Sequence, residues 1–312
     1  MATISGTEIP AVDETSTHTT APHTGGARKT DITYYWLLVP ILVLFTIFIT
    51  LPTVIGFLFS FTNYVGYGAW HFIGLTNYKA AFSDPNIRHS YGFTLLFAFT
   101  TTILVNIIAL ALALGLASKI KWRTTLRGIY FIPMVISGLV IAYVFSTIFN
   151  VSVPFIATKL GISGLETSIL ANEHWAWTAV VIVSVWQSCP GAIIIYLAGL
   201  LTIPTEVYEA ASLDGASPWQ QFKSITFPLV AGYVVINSVL ALKGFLNVYD
   251  VVVGTTNGGP GTATQSVAMT IFRGLSSGDY AYQMANAVIF FLVTITLSIL
   301  QLGFLRRRGV SL

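Results

Sequence analysis

The stretch from Leu201 to Leu229, LTIPTEVYEAASLDGASPWQQFKSITFPL, interrupts the apolar second half of the chain with a long polar segment. Its start predicts a short helix that begins at Pro204 and Thr205, because a first-turn proline lacks only an N–H that has no partner there. Gly215 follows Asp214 at the predicted end of this helix, where glycine freely adopts a positive φ. The stretch therefore predicts a helix followed by a sharp corner.

A second short helix is predicted directly after this corner. Ser217, Pro218 and Gln220 have the spacing of an N-cap, a first-turn proline and the partner residue of a capping box. Pro228 is expected to end this helix and to begin the next apolar run. The two helices and their corner therefore form a polar loop between apolar segments.

The composition excludes a soluble protein. Hydrophobic residues make up 54% of the 312 residues and charged residues only 9%, whereas soluble domains contain about 25% charged residues. This leaves too little polar surface to cover an apolar core, so we expect an integral membrane protein. The single cysteine, Cys189, lies in an apolar run, which predicts a buried small residue and allows no disulfide within the chain.

Six apolar runs are each long enough to cross a bilayer, which takes about 20 residues of helix. The fold class that we predict is therefore an all-α integral membrane protein with six transmembrane helices and a two-helix loop between the fourth and the fifth. The expected spans lie near residues 34–61, 91–118, 126–149, 174–201, 229–254 and 283–305.

The basic residues predict the orientation of these spans. Because six spans return the chain to its starting side, both termini and the polar loop 202–229 are expected on one side. Ten lysines and arginines fall on that side and four on the other, so the positive-inside rule places both termini in the cytoplasm. The ten are Arg28, Lys29, Lys119, Lys121, Arg123, Arg127, Lys223, Arg306, Arg307 and Arg308, and the four are Lys79, Arg88, Lys159 and Arg273.

Several short motifs carry a resemblance to a known family. EAA at residues 209–211, DGAS at 214–217 and ITFPL at 225–229 have the order and spacing of the EAA loop of ABC importer permeases. GLTNY at residues 74–78 and TNGGP at 256–260 are similar to segments of the sugar-type permeases of that family. The chain thus resembles a sugar-type permease subunit over most of its length.

The resemblance and the composition together predict two parts of the chain. Residues 1–30 are rich in Thr, Gly, Ala and Pro and are expected to form a disordered cytoplasmic tail. Residues 31–312 are expected to form the transmembrane domain of an ABC importer. The resemblance implies that loop 202–229 is its coupling loop, which in the family docks into a cleft of a cytoplasmic ATPase subunit.

The resemblance also implies a role for individual residues of the coupling loop. Glu209 is expected to be a polar anchor on the ATPase, and Ala210 and Ala211 would keep the helix slim enough to enter a groove. Asp214 and Gly215 would form the corner that fixes the angle between the two helices. The alternative for Glu209 is a solvated charge on a loop helix.

No motif for nucleotide hydrolysis or metal binding occurs in the sequence. It contains no G-x-x-x-x-G-K-[ST] phosphate loop and no Cys/His ligand cluster. We therefore expect a non-catalytic subunit with no cofactor and no metal of its own. The resemblance implies that ATP and Mg²⁺ are bound by the partner ATPase.

Polar residues inside a span are costly and indicate either a functional site or internal packing. In span four, Pro190 removes a helix hydrogen bond and predicts a kink beside Gly191. A cavity at this kink would offer hydrogen-bond partners to sugar hydroxyls and an aromatic face to a sugar ring, whereas ordinary helix packing is the alternative. The candidate lining residues are Ser184, Trp186, Gln187, Ser188 and Gly191.

Span five carries a second set of polar candidates. Lys243, Asn247 and Asp250 have a spacing that places all three on one helical face. They could line a pathway together, or Lys243 and Asp250 could form a structural pair, which is the interpretation that we favour for Asp250. The lining residues expected from this span are Asn237, Lys243, Phe245 and Asn247.

The resemblance implies an assembly in the bacterial cytoplasmic membrane. A second homologous permease would complete the pathway, two cytoplasmic ATPase subunits would drive it, and an extracytoplasmic sugar-binding protein would deliver the substrate. No feature indicates nucleic-acid binding. The expected substrate is a carbohydrate, most simply a di- or oligosaccharide, and the lack of a basic cluster in spans four and five argues against a phosphorylated one.

Two rival functions remain open at this point. An ion-coupled secondary sugar transporter would be expected to show paired repeats and intramembrane acids, of which Asp250 is the one candidate. A membrane scaffold without transport activity would leave the polar residues of spans four and five unexplained.

Overall fold

The computed structural model describes residues 32–118 and 121–307, which form helices and turns with no strand among them. This agrees with the predicted all-α class. The predicted disordered tail, residues 1–30, lies outside the described residues. The chain divides into two compact units, one that ends at Pro52 and one that begins at Thr53.

The described residues contain fourteen α-helices and three π-helical turns. The turns are Thr46–Thr50, Ile148–Ser152 and Phe222–Thr226. The helices are α1 Ile32–Phe45, α2 Leu51–Phe59, α3 Thr76–Ser83, α4 Pro85–Ala117, α5 Arg123–Val135, α6 Gly138–Thr147, α7 Val153–Leu160, α8 Ala176–Leu200, α9 Thr205–Leu213, α10 Pro218–Gln221, α11 Phe227–Leu246, α12 Asp250–Thr255, α13 Val267–Ser276 and α14 Tyr280–Arg307.

Six helical segments of the described chain are long and apolar enough to cross a membrane, which confirms the predicted number of spans. Spans one, two, four and six lie where the sequence predicts them, with ends displaced by six residues at most. The six segments are Leu38–Phe59, Pro85–Ala117, Gly138–Leu160, Ala176–Leu200, Pro218–Leu246 and Tyr280–Gly303.

The sequence predicts span three as one continuous helix over residues 126–149, and this prediction is wrong. The helix stops at Val135 and restarts at Gly138, because Ile136 and Ser137 have extended backbone instead of helical backbone. Pro133, which lies in the last turn before this break, cannot donate a backbone hydrogen bond. The membrane-length helix then continues to Leu160, beyond the predicted end of the span.

The fifth span differs from its prediction at both ends. Pro228 does not end a helix, because Pro218–Leu246 is helical throughout and the π-helical turn Phe222–Thr226 widens the backbone just before the proline ring. At the other end the helix stops at Leu246, and α12 begins only at Asp250. Asn247 and Asp250 therefore do not share a helical face with Lys243. The shared face that their spacing predicts is wrong.

The core lies where α4, α8 and α11 pack together. Its largest fully buried side chains include Phe97 of α4, Tyr196 of α8 and Leu242 of α11. Fully buried alanines, such as Ala109 and Ala113 of α4, allow neighbouring helix backbones to come close. These three helices therefore form the frame on which the polar residues of spans four and five are held.

Two polar contacts connect the helices of this frame. The Tyr196 hydroxyl of α8 donates to Asn106 Oδ1 of α4, and Asn106 Nδ2 donates to the Thr102 carbonyl at 2.7 Å. Asn237 Nδ2 of α11 donates to the Ala192 carbonyl of α8 at 3.1 Å. Because these groups are surrounded by apolar side chains, the bonds fix the register of the three helices.

The short helix α12 packs against α6, so the segments that follow the breaks at residues 136–137 and 247–249 meet. Ser146 Oγ donates to the Thr255 carbonyl at 3.0 Å. Gly254 faces α6 so closely that an added Cβ would lie 2.5 Å from Ala142 Cβ and 3.1 Å from the Leu139 carbonyl oxygen. This contact depends on the absence of a side chain at residue 254.

Replacing Gly254 should therefore destabilise the protein. We expect Gly254→Val to lower the free energy of unfolding by about 1–3 kcal/mol, because overpacking forces two helices apart. The measurement is the thermal unfolding midpoint of the detergent-solubilised protein. Gly115→Ala in α4 is the matched control, because a Cβ at Gly115 has no neighbour within 4 Å. Equal midpoints for the two variants would contradict the tight α6–α12 contact.

Candidate functional site

The sharp corner that the sequence predicts at Gly215 is confirmed. Gly215 has a φ of +80° directly after the end of α9, and its N–H donates to the Ser212 carbonyl at 3.1 Å. The Ala216 N–H donates to the Ala211 carbonyl at 2.9 Å. These two bonds form a Schellman motif, which needs a residue that tolerates a positive φ.

The second helix of the loop begins as the sequence predicts. Ser217 is its N-cap and Pro218 its first residue, and both bonds of the capping box with Gln220 are present. The Ser217 N–H donates to Gln220 Oε1 at 2.7 Å, and the Gln220 N–H donates to Ser217 Oγ at 3.4 Å. The direction in which the chain leaves the corner is thus set by residues within the loop itself.

Three hydrogen bonds connect the helices of the loop to each other and to the corner between them. The hydroxyls of Tyr208 in α9 and Thr226, which is buried just before α11, lie 2.9 Å apart. Gln221 Nε2 donates to Ser212 Oγ at 3.0 Å and to the Ala216 carbonyl at 3.1 Å. α9 is therefore fixed to the start of span five and cannot swing freely about the corner.

The surface of the loop combines charge with exposed apolar side chains. Glu209 lies on the exposed side of α9 with Ala210, while Ala211 is half-buried. Leu213 and Trp219, on either side of the corner, are 90% and 69% exposed. Asp214 and Gly215 are exposed between them. Exposed apolar side chains around an acidic group are typical of a protein-binding surface.

The candidate residues of span four lie on different sides of α8. Ser184 is buried, and its hydroxyl has no hydrogen-bond partner. Trp186 is 42% exposed, with its ring 5.2 Å from that of Phe145. Gln187 is half-buried against the start of α6, where a Cβ on Gly138 would lie 3.0 Å from its Nε2.

Ser188 and Gly191, also in span four, are both half-buried. A Cβ at Gly191 would have no neighbour within 4 Å, so open space borders the helix there. The helix remains continuous through Pro190. Gly191 lies four residues after Gln187 and three after Ser188, so the three residues lie on one broad side of the helix.

The candidates of span five divide into buried and exposed residues. Asn237 is buried with its amide on the Ala192 carbonyl, and Phe245 is buried with its ring edge against Phe97. Lys243 and Asn247 are exposed, and Asn247 Nδ2 donates to the Lys243 carbonyl at 2.9 Å. The described structure contains no ion pair between Lys243 and Asp250, so the structural pair favoured from the sequence does not form.

A mostly apolar cavity lies elsewhere, between α4, α5 and α8. Its volume is about 600 Å³, and among the sugar-lining candidates only Trp186 borders it. The remaining side chains around it are apolar except for Tyr130 and Cys189. It offers few partners to sugar hydroxyls, so it does not match the predicted sugar site.

Some residues that organise these regions are not among the predicted candidates. Asn106 is a polar residue in an apolar run of span two, and the rule that singled out Lys243 would also have found it. Tyr208 and Thr226 are 18 residues apart, and nothing in their spacing predicts that they meet. The sequence therefore identifies polar positions inside spans more readily than the contacts that fix the loop.

Residues 106–309 match the family described as the inner membrane component of binding-protein-dependent transport systems. The chain belongs to this family. It is a multi-pass protein of the cytoplasmic membrane and a transport component, and the match includes loop 202–229 and spans three to six.

Two relatives of this inner-membrane component cover nearly its whole length. It is 34% identical over 274 residues to the permease of the multiple sugar-binding transport system of Streptococcus mutans, over 86% of this chain and 94% of the relative. It is 32% identical over 283 residues to a probable permease for starch degradation products of Thermoanaerobacterium thermosulfurigenes, over 89% of this chain and 96% of that relative.

A solved structure has the same fold. The chain is similar, with a TM-score of 0.80 and 22% identity, to a chain of a bacterial alginate ABC transporter in complex with an alginate pentasaccharide-bound periplasmic protein. The similarity covers 90% of this chain and 96% of the other. It establishes the ABC permease fold for this inner-membrane component.

Removing the Tyr208–Thr226 contact should loosen the loop. We expect Thr226→Val to speed amide hydrogen exchange in residues 205–221, because a loss of about 1 kcal/mol opens the segment more often. Hydrogen-exchange mass spectrometry measures this directly. Ser224→Ala, at an exposed position of the same turn, is the control and should exchange as the wild type. Unchanged exchange in Thr226→Val would mean that the contact does not hold the loop.

Proposed function

We propose that this chain is a transmembrane permease subunit of an ATP-driven importer that takes up a di- or oligosaccharide delivered by an extracytoplasmic binding protein. The observation that carries the proposal is the fixed, exposed coupling loop of a chain that belongs to the family of binding-protein-dependent permeases. The named substrates of the two relatives, multiple sugars and starch degradation products, support a carbohydrate.

In the proposed assembly, this chain works with two ATPase subunits, a second permease and the extracytoplasmic binding protein. A cytoplasmic ATPase subunit would receive loop 202–229, and a second ATPase subunit would serve a second, homologous permease. ATP and Mg²⁺ would be bound by the ATPases, because this sequence lacks a phosphate loop. The proposal requires the loop and both termini to face the cytoplasm, which agrees with the distribution of basic residues.

The loop would act as a rigid connection between the ATPase and the spans. Glu209 would bind a polar or basic group in the ATPase cleft, with Leu213 and Trp219 in apolar contact around it. Because the Tyr208–Thr226 contact fixes α9 to the start of span five, movement of α9 would move that span as well. Alternating access would follow as ATP closes the ATPase dimer and hydrolysis resets it.

The sugar pathway would be lined by those predicted residues that are not fully buried. Gln187, Ser188 and Gly191 would contribute from span four, with Trp186 as an aromatic neighbour. Lys243 and Asn247 would contribute from span five, where an ammonium and an amide can both bind hydroxyls. Ser184, Asn237 and Phe245 would support this lining from behind and reach the substrate only if the helices separate.

The ATPase contact can be tested by co-purification. We expect an ATPase subunit to accompany the wild-type protein in mild detergent and to be lost from Glu209→Lys, because the reversed charge would repel its partner group. Gly215→Pro should have the same effect by breaking the corner. Glu206→Lys is the matched control, one turn earlier on the same helix, and should keep the ATPase. Equal recovery with Glu209→Lys and Glu206→Lys would contradict the role of Glu209.

The sugar-lining residues can be tested by uptake in cells. We expect Gln187→Ala and Lys243→Met each to reduce oligosaccharide uptake roughly tenfold, which corresponds to the loss of about 1.4 kcal/mol of interaction. Gln301→Leu, a polar position in span six that is not assigned to the pathway, is the control.

The energy source is measured in the same cells. Uptake should fail when ATP is depleted and should survive an uncoupler that leaves ATP intact. Uptake that an uncoupler abolishes at normal ATP would instead indicate the ion-coupled transporter.

A further inference from the structure

The cavity between α4, α5 and α8 opens to the surface of the spans and has an apolar lining. We call it the α5 groove; its lining includes Leu104, Ile108, Ile129, Pro133, Val185 and Trp186. Ile129 and Ile132 are 55% and 53% exposed, so one wall of the groove consists of open aliphatic surface. No side chain that lines it carries a charge.

One end of the α5 groove is bordered by an arginine. Tyr130 and Leu112 line this end, and Arg127 and Leu116 lie about one helical turn beyond them on α5 and α4. Arg127 Nη2 donates to the Leu116 carbonyl at 3.4 Å, while Arg127 Nε is buried without a hydrogen-bond partner. Arg127 forms no ion pair with any residue that the structure describes, so its charge lacks a counterion among those residues.

Two further residues indicate that the basic end of the α5 groove lies at the level of the lipid headgroups. Lys121 is exposed, and Trp122 is 77% exposed as the N-cap of α5 with a φ of +65°. Tryptophan is enriched at the level of lipid headgroups. The sequence from Ser118 to Arg127 contains four basic residues and no acid. This end of the groove therefore combines a headgroup-level side chain with unbalanced positive charge.

We propose that the α5 groove holds an acyl chain of an anionic phospholipid whose phosphate binds Arg127 and Lys121. The groove extends from Tyr130 toward Pro133 and from Leu112 toward Leu104, away from the basic end, as the chain of a bound lipid would. A phosphate oxygen would accept hydrogen bonds from the guanidinium and the ammonium. Basic pockets between transmembrane helices recognise anionic headgroups in the same way.

A lipid fits these observations better than a protein helix. A helix of another subunit could fill the apolar part, but it would have to bring an acidic side chain to the membrane boundary to balance Arg127 and Lys121. An anionic phospholipid carries the negative charge and the apolar chain in one molecule. The bound lipid would also fill the space between α5 and the frame formed by α4 and α8, and so stabilise their packing.

The test uses the full-length protein with its co-purifying subunits in lipid nanodiscs. A trace of phospholipid with a photoactivatable diazirine in its acyl chain is added, as either phosphatidylglycerol or phosphatidylcholine, and cross-linked peptides are located by mass spectrometry. We expect cross-links at groove residues of α4, α5 and α8 to be several-fold more frequent with phosphatidylglycerol. Equal labelling by the two lipids would overturn the anionic preference.

Variants then separate the headgroup contact from the acyl contact. Lys121→Gln and Arg127→Gln should lower phosphatidylglycerol labelling to the level of phosphatidylcholine, whereas Lys159→Gln, at the end of α7, should leave it unchanged. Ile129→Trp should block labelling by filling the groove. Cross-links from groove residues to another subunit instead of lipid would overturn the proposal. If Arg127→Gln does not fold, Lys121→Gln and the wild-type lipid ratio still decide the outcome.

Discussion

The architecture depends on the need to satisfy every backbone polar group inside the membrane. Unbroken helices meet this need by themselves, but the helical chain is interrupted at residues 136–137, just before span three, and at residues 247–249, just after span five. The segments after the two breaks pack on each other, and the Ser146 hydroxyl of α6 donates to the Thr255 carbonyl of α12. The missing side chain of Gly254 permits this contact, so a local backbone requirement fixes a long-range arrangement.

The sequence predicts those features whose causes are close together along the chain. The number of spans follows from apolar length, and the loop corner follows from Gly215 and from the capping box of Ser217 and Gln220. The breaks at residues 136–137 and 247–249 are not predicted, because hydrophobicity reports which residues avoid water and not whether their helix is continuous. For the same reason, the predicted common face of Lys243, Asn247 and Asp250 is wrong. It assumes one continuous helix, but that helix ends at Leu246.

The candidate sites show the same limit. The sequence selects Gln187, Ser188 and Gly191 of α8 as lining candidates, and all three are half-buried. On α11, however, burial separates Asn237 and Phe245 from the exposed Lys243. Which side of a span meets neighbouring helices depends on tertiary packing, and a single apolar run gives little information about it. The bracing of the loop by Tyr208 and Thr226 joins positions 18 residues apart and likewise appears only in three dimensions.

The π-helical turn Phe222–Thr226 has a consequence for the insertions and deletions that this protein can accept during evolution. It lies inside a helix of 29 residues that runs from the loop corner to Leu246. Each residue of a helix advances its direction by about 100°. Losing or gaining one residue in the turn would thus rotate the whole of α11, taking Asn237 away from Ala192 and presenting a different face at Lys243. Most surface loops tolerate the insertion or deletion of a residue. In this turn, the same change would rotate the whole of span five.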